Sequence, residues 1–149
     1  MTGPLTRRQA LIMAGSALLT LDAWAAPEVL TFDALYKSRG VRGLEFSDRL
    51  LTLRGMTVAM TGFMAPPLKA ESAFFVLTSQ PMAICPFCQS DADWPDDIVV
   101  VYLQSVTPMT AAGSRLTVRG ILEVGSKTDA DSGFVSQVRL VHASFAAPT

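Results

Sequence analysis

Two cysteines and one histidine are all the thiol and imidazole this 149-residue chain contains. A four-cysteine iron–sulfur cluster is therefore excluded. So is a framework of several disulfides, because two thiols make at most one bond within a chain. Charge is sparse as well. Asp, Glu, Lys and Arg make up 17% of the residues and nearly cancel, for a net charge of −1. That is no electrostatic footprint for nucleic acid or for an anionic membrane face. No glycine-rich phosphate loop occurs. No Ser or Cys nucleophile has a histidine base nearby in sequence, which weighs against an enzyme without excluding one. The apolar stretch from Ala10 to Leu21 is too short to span a bilayer as a helix. No longer apolar run follows it, so the rest of the chain predicts no membrane span.

What is present begins with the N-terminus. Arg7 and Arg8 precede that apolar stretch, and Ala23-Trp24-Ala25 closes it. Small residues at both positions a signal peptidase reads put cleavage between Ala25 and Ala26. The pattern resembles a twin-arginine export signal in its arginines and Leu11. Residues 1–25 are therefore expected to be a cleavable leader, and the twin-arginine export machinery a partner. The mature product is expected to be soluble and periplasmic. Loss of two arginines and one aspartate (Asp22) with the leader moves the net charge from −1 to −2. Residues 26–149 suffice for one domain with one core.

Residues 26–50 read as a connecting segment with one short helix. Thr31 is placed to cap that helix over Phe32 to Lys37, and Ser38 to Gly43 breaks it. Residues 51–149 read as strands. Between Leu51 and Met64, Met56, Val58, Met60, Gly62 and Met64 alternate with Thr57, Ala59, Thr61 and Phe63. Phe74 to Thr78 is a second strand. Ile98 to Leu103 is a third, apolar on both faces. Arg115 to Val124 alternates again, with Leu116, Val118, Leu122 and Val124 on one side. Val135 to Phe145 is the fifth strand, with Val138, Leu140 and His142 on one face. No strand–helix–strand pattern appears, which argues against a parallel α/β sheet. Five strands, with Gly62 and Gly120 where coiled strands bend, predict an all-β, OB-like, partly closed five-stranded barrel. A small β-sandwich is the alternative.

The run from Leu53 to Pro67, LRGMTVAMTGFMAPP, resembles the signature of a family of small exported bacterial proteins of unknown function. Phe75-Val76-Leu77, Cys85 and the stretch from Ile98 to Tyr102 follow in that family's order. The resemblance implies an OB-like barrel and a link to metal handling beside a transporter. The chain departs from the pattern at the cysteine loop, where Cys88 is additional and the proline-rich stretch shrinks to Trp94-Pro95.

The two thiols form Cys85-Pro86-Phe87-Cys88, and three readings of the pair stay open. As a structural disulfide it is a weak staple, because a four-residue loop yields about 2 kcal/mol against about 3 for fifteen residues. As a thiol–disulfide redox couple it lacks the helix start of thioredoxin-like frames. Asp91, Asp93, Asp96 and Asp97 crowd it, and nearby negative charge raises a thiol pKa. No Lys, Arg or His lies between Glu71 and Arg115. As a metal site it supplies two soft ligands, enough for Cu(I). Zinc wants four, so Asp91, Asp93 or His142 would add the rest, or a second chain would. His142 shares its predicted face with core residues, so a satisfied, partly buried histidine is the first expectation for it. Met56, Met60 and Met64 do not make a copper site, since four residues of strand separate neighbours by about 13 Å. The leading expectation is an exported, non-enzymatic binding or accessory protein that handles zinc or Cu(I), with a transporter or another periplasmic protein as partner. The alternatives are a redox protein, or a ligand- or protein-binding barrel with an inert disulfide.

Overall fold

The computed structural model describes residues 26–40, 43–66, 73–82, 94–105 and 108–147. The expected leader with Arg7, Arg8 and Ala25 lies outside them, as do Cys85, Cys88, Asp91 and Asp93.

The strands run in the order β1 (Glu28–Val29), β2 (Tyr36–Gly40), β3 (Gly43–Phe46), β4 (Thr57–Met64), β5 (Phe74–Thr78), β6 (Ile98–Leu103), β7 (Arg115–Thr128) and β8 (Val135–Ala146). Among the described residues one α-helix, α1 (Asp48–Leu53), precedes β4. Strands β4, β5, β6, β8 and β7 are neighbours in that order, and β7 pairs back with β4. The sheet thus closes into a five-stranded ring. Every ring pairing is antiparallel except β6 with β8. This is the OB-type barrel expected from the five strands, and the fold is all-β.

Alternation explains the ring. Along β4, Val58, Met60 and Met64 are buried while Thr57 and Thr61 face out. Along β7, Leu116, Val118, Leu122 and Val124 point inward as the period-two pattern predicts. Strand β5 and the first four residues of β6 are buried on both faces. Phe75, Leu77, Val99 and Val101 join the main core, whereas Val76 and Ile98 pack with Ala65 and Trp94 outside the ring.

The segment before β4 departs from its expected form. Thr31 makes no side-chain cap, and the helix there is a single 3-10 turn, Phe32–Ala34. Tyr36 already belongs to the hairpin β2–β3, where it pairs with Phe46 and stacks on it at 5.7 Å. The α-helix comes later, where a strand was expected from Leu51. Ser47 starts α1: its hydroxyl accepts the Leu50 N–H (3.0 Å) and donates to the Ala34 carbonyl (2.5 Å). Gly55, at φ +80°, ends the turn in the left-handed conformation and donates its N–H to Leu122 (2.8 Å). Leu30, Leu35, Leu50 and Leu53 enter the barrel core. The N-terminal segment is therefore part of the packing and more than a connection.

Candidate functional site

The connection carrying the thiol pair leaves β5 after Thr78 and returns at Ile98. These two residues are directly paired. Its base is fastened on several sides. The Ser79 N–H donates to the Asp97 carbonyl (3.0 Å), and the Ser79 hydroxyl donates to the Asp97 carboxylate (3.3 Å). The Trp94 indole N–H donates to the Tyr36 hydroxyl (2.9 Å). Burial pushes the Tyr36 pKa up, partly offset by that bond from Trp94. Arg39 forms an ion pair with Asp96. Hairpin β2–β3 therefore braces the returning limb of the loop. Two of the four aspartates near the thiols are engaged: Asp96 by a guanidinium and Asp97 by a hydroxyl. The cation comes from far upstream in sequence, where reading along the loop alone does not find it.

Around this limb an aromatic cover lies on the outer face of β5 and β6. Phe74 meets Tyr102 at 5.4 Å and Phe134 at 6.1 Å, and Phe134 meets Trp94 at 6.3 Å. Burial is the main cause that raises the Tyr102 pKa, with Asp129 adding to it. Arg139 is 5% exposed and bonded through two of its nitrogens. Its Nε donates to Glu123 (2.7 Å), and Nη1 donates to the carbonyls of Gly125 (2.8 Å) and Ser136 (3.2 Å). This cluster is held together by its own members and reads as structure.

His142 is not where its strand face predicts. It is exposed, at φ 49°, and carries the positive φ of a left-handed residue. The pairing of β7 with β8 explains it. Ile121 faces Val141 and Arg119 faces Ser144, so Gly120 alone spans His142 and Ala143. His142 is the extra residue of a β-bulge. The same slip appears against β6, where Val101 faces Leu140 and Leu103 faces Ala143. Inward positions accordingly pass from Val138 and Leu140 to Ala143, and His142 is turned out. The expectation of a partly buried histidine is corrected by this one inserted residue.

The outward histidine borders an open groove of about 690 Å³ lined by Ala26, Pro27, Thr57, Arg119, Gly120, Ile121, His142 and Ser144. A second hollow of about 310 Å³ adjoins it and shares Arg119 and Ser144. Its floor is the outer face of β4, β7 and β8. Ala59, Arg119 and Ser144 form one cross-strand row; Thr57, Ile121 and Val141 form the next.

In fold, the chain is similar to the crystal structure of a DUF3299 family protein from Pseudomonas aeruginosa PAO1. The TM-score is 0.52 at 14% sequence identity, covering 83% of this chain and 99% of that one. At that identity the likeness shows the fold alone. No family model matches the chain, and no curated protein matches it. The barrel is thus shared with a protein from a family of unknown function, in line with the resemblance drawn from residues 53–67.

Register keeps His142 away from the base of the thiol loop. Val100 pairs with Arg139, which puts Ile98 level with Gln137. His142 stands five residues further along β8, about 15 Å. Among the described residues no group of three or more His, Cys, Asp or Glu side chains converges. Arg119, Ser144 and Thr57 were not singled out in the sequence. A signal for Ser144 exists in the broken alternation of β8, where apolar positions step from Leu140 to Ala143.

Proposed function

We propose that this chain is an exported, non-enzymatic barrel that binds a soft or borderline metal ion through Cys85 and Cys88. The observation that supports this reading most is the setting of the loop. Strands β5 and β6 are adjacent and antiparallel, so the Cys-x-x-Cys segment lies in a hairpin connection. A thioredoxin-type couple needs the thiols at the start of a helix in a strand–helix–strand unit. The antiparallel pairing favours a thiol-bearing loop on a braced base, which suits a ligand site, over a thioredoxin-type couple. The donor chemistry fits. Two thiolates satisfy Cu(I), and Asp91 and Asp93 within the same loop would complete a four-ligand zinc site. His142 is left out of this set because of its distance along β8. Twin-arginine export would deliver a protein folded in the reducing cytoplasm, with thiols free to take metal before translocation. No helix among the described residues is long and apolar enough to cross a membrane. A transporter remains the proposed partner on the strength of the family resemblance.

Metal analysis of anaerobically purified protein tests the reading. About one zinc or copper per chain is expected, and loss of it in the Cys85→Ser, Cys88→Ser variant. Equal metal content in both proteins sinks the proposal.

A further inference from the structure

We infer that the groove on the outer face of β4, β7 and β8 is a second binding site, for the carboxylate or phosphate group of a small solute. Three observations converge on it. The first is Arg119. Lys37, Arg39, Arg49, Lys127 and Arg139 each pair with a carboxylate. Arg54, Arg115 and Arg119 have no acid partner among the described residues, and of these three Arg119 alone lines the groove. An unclaimed guanidinium fork is the side chain best suited to a planar or tetrahedral oxyanion.

The second is what surrounds it. Ser144 is the direct cross-strand partner of Arg119, with Cβ atoms about 5 Å apart. Thr57 and His142 add a hydroxyl and an imidazole to the lining, and among the described residues no Asp or Glu lines either hollow. The described lining thus offers several donors and no carboxylate. A volume of about 690 Å³ lies within the range of small-molecule sites, ~300–1,000 Å³.

The third is the backbone of His142. A non-glycine residue at φ 49° is held in a sparsely populated region, and such positions concentrate at functional sites. Bulges also re-aim side chains. Here the bulge takes a histidine from the core face and turns it toward Arg119 and Ser144. Glycine would suit the backbone better. A histidine there is explained if its side chain does something.

The groove is separate from the thiol loop, so the test uses the Cys85→Ser, Cys88→Ser chain, and a metal result cannot mask it. Inorganic phosphate and citrate are titrated calorimetrically at fixed ionic strength. Saturable binding of either is expected; which one binds tells a phosphate ligand from a carboxylate one. Arg119→Gln should weaken it at least tenfold, while Arg54→Gln, outside the groove, should leave it unchanged. His142→Gly should weaken binding about fivefold yet keep or raise the melting temperature. Absence of saturable binding for both probes overturns the inference. So does equal affinity in Arg119→Gln, or a His142→Gly chain that melts several degrees lower with its binding intact.

Discussion

Gly62→Ala is the most demanding test of how the barrel closes. Strand β4 changes neighbours at this residue. Val58 and Ala59 pair with β1 on one edge, and Phe63 and Met64 pair with β5 on the same edge. On the other edge Gly62 faces Leu116 of β7. A Cβ at Gly62 would stand 2.6 Å from the Thr78 carbonyl oxygen, 2.9 Å from Leu77 Cγ and 2.9 Å from a Phe32 ring carbon. The Phe32 ring can swing aside. The other two cannot, because Leu77 and Thr78 are fully buried and Thr78 is paired with Phe63. Overpacking of a core costs about 1–3 kcal/mol, and a backbone atom as the nearest neighbour puts this case near 3. Reduced freedom of the unfolded chain returns at most about 1 kcal/mol. The net loss is about 2 kcal/mol, or roughly 8 °C in melting temperature at about 4 °C per kcal/mol. Gly120→Ala is the internal control. Its Cβ would meet Ala143 Cβ and the Val141 oxygen at 3.0 Å and Leu140 Cβ at 3.1 Å, tight contacts of which none falls below 3.0 Å. It should cost about 1 kcal/mol or less. Urea and thermal unfolding followed by circular dichroism measure both. A Gly62→Ala protein as stable as its parent, or more stable than Gly120→Ala, refutes the close approach as the reason for glycine.

Three further outcomes follow from the hydrogen bonds. Arg139→Ala should lose about 2–4 kcal/mol in urea unfolding, because the Gly125 and Ser136 carbonyls lose their donor; Arg139→Lys, without the fork, should recover only part of it. Ser47→Ala removes the cap of α1 and the bond to Ala34, and should cost about 1–2 kcal/mol by the same assay. Arg139 holds the Glu123 carboxyl below its usual range and Ser132 does the same for Asp129, so the unfolded chain takes up protons first as pH falls. That stability is complete above the ordinary carboxylate pKa of about 4 and is lost as pH drops through the depressed values; urea midpoints at pH 7 and pH 3 should converge in Glu123→Gln relative to the parent.

Most of the ring was legible because its signal is local. Val58, Met60, Leu116, Val118 and Leu122 alternate without interruption, and alternation is a property of neighbouring residues. The N-terminal half-turns were less legible because longer contacts decide them. Ser47 and Asp48 carry a helix-start signal, but the methionine alternation further on invites the strand to begin too early. Tyr36 leaves its turn for the hairpin because Phe46 is there to stack on it. The brace of the thiol loop was invisible for the same reason. Arg39 and Asp96 are far apart along the chain, and only the fold brings them together.

His142 shows a subtler limit and supplies a sharper test. Period two predicts an inward histidine after Val138 and Leu140, and it is right up to one inserted residue. Remove that residue and Val138, Leu140, Ala143 and Phe145 fall on an uninterrupted alternation. The core thus gains nothing in phase from the bulge, since a regular strand would bury the same side chains. Two reasons for keeping it are left: bending β8 for closure, or presenting His142 beside Arg119. Deletion of His142 separates them. If presentation is the reason, the shortened chain folds with native-like circular dichroism and a cooperative transition, and binding in the groove weakens about fivefold, as in His142→Gly. If curvature is the reason, β7 and β6 both lose register against β8, and the cooperative transition disappears. A folded deletion chain that still binds as the parent does would refute the role given to the imidazole.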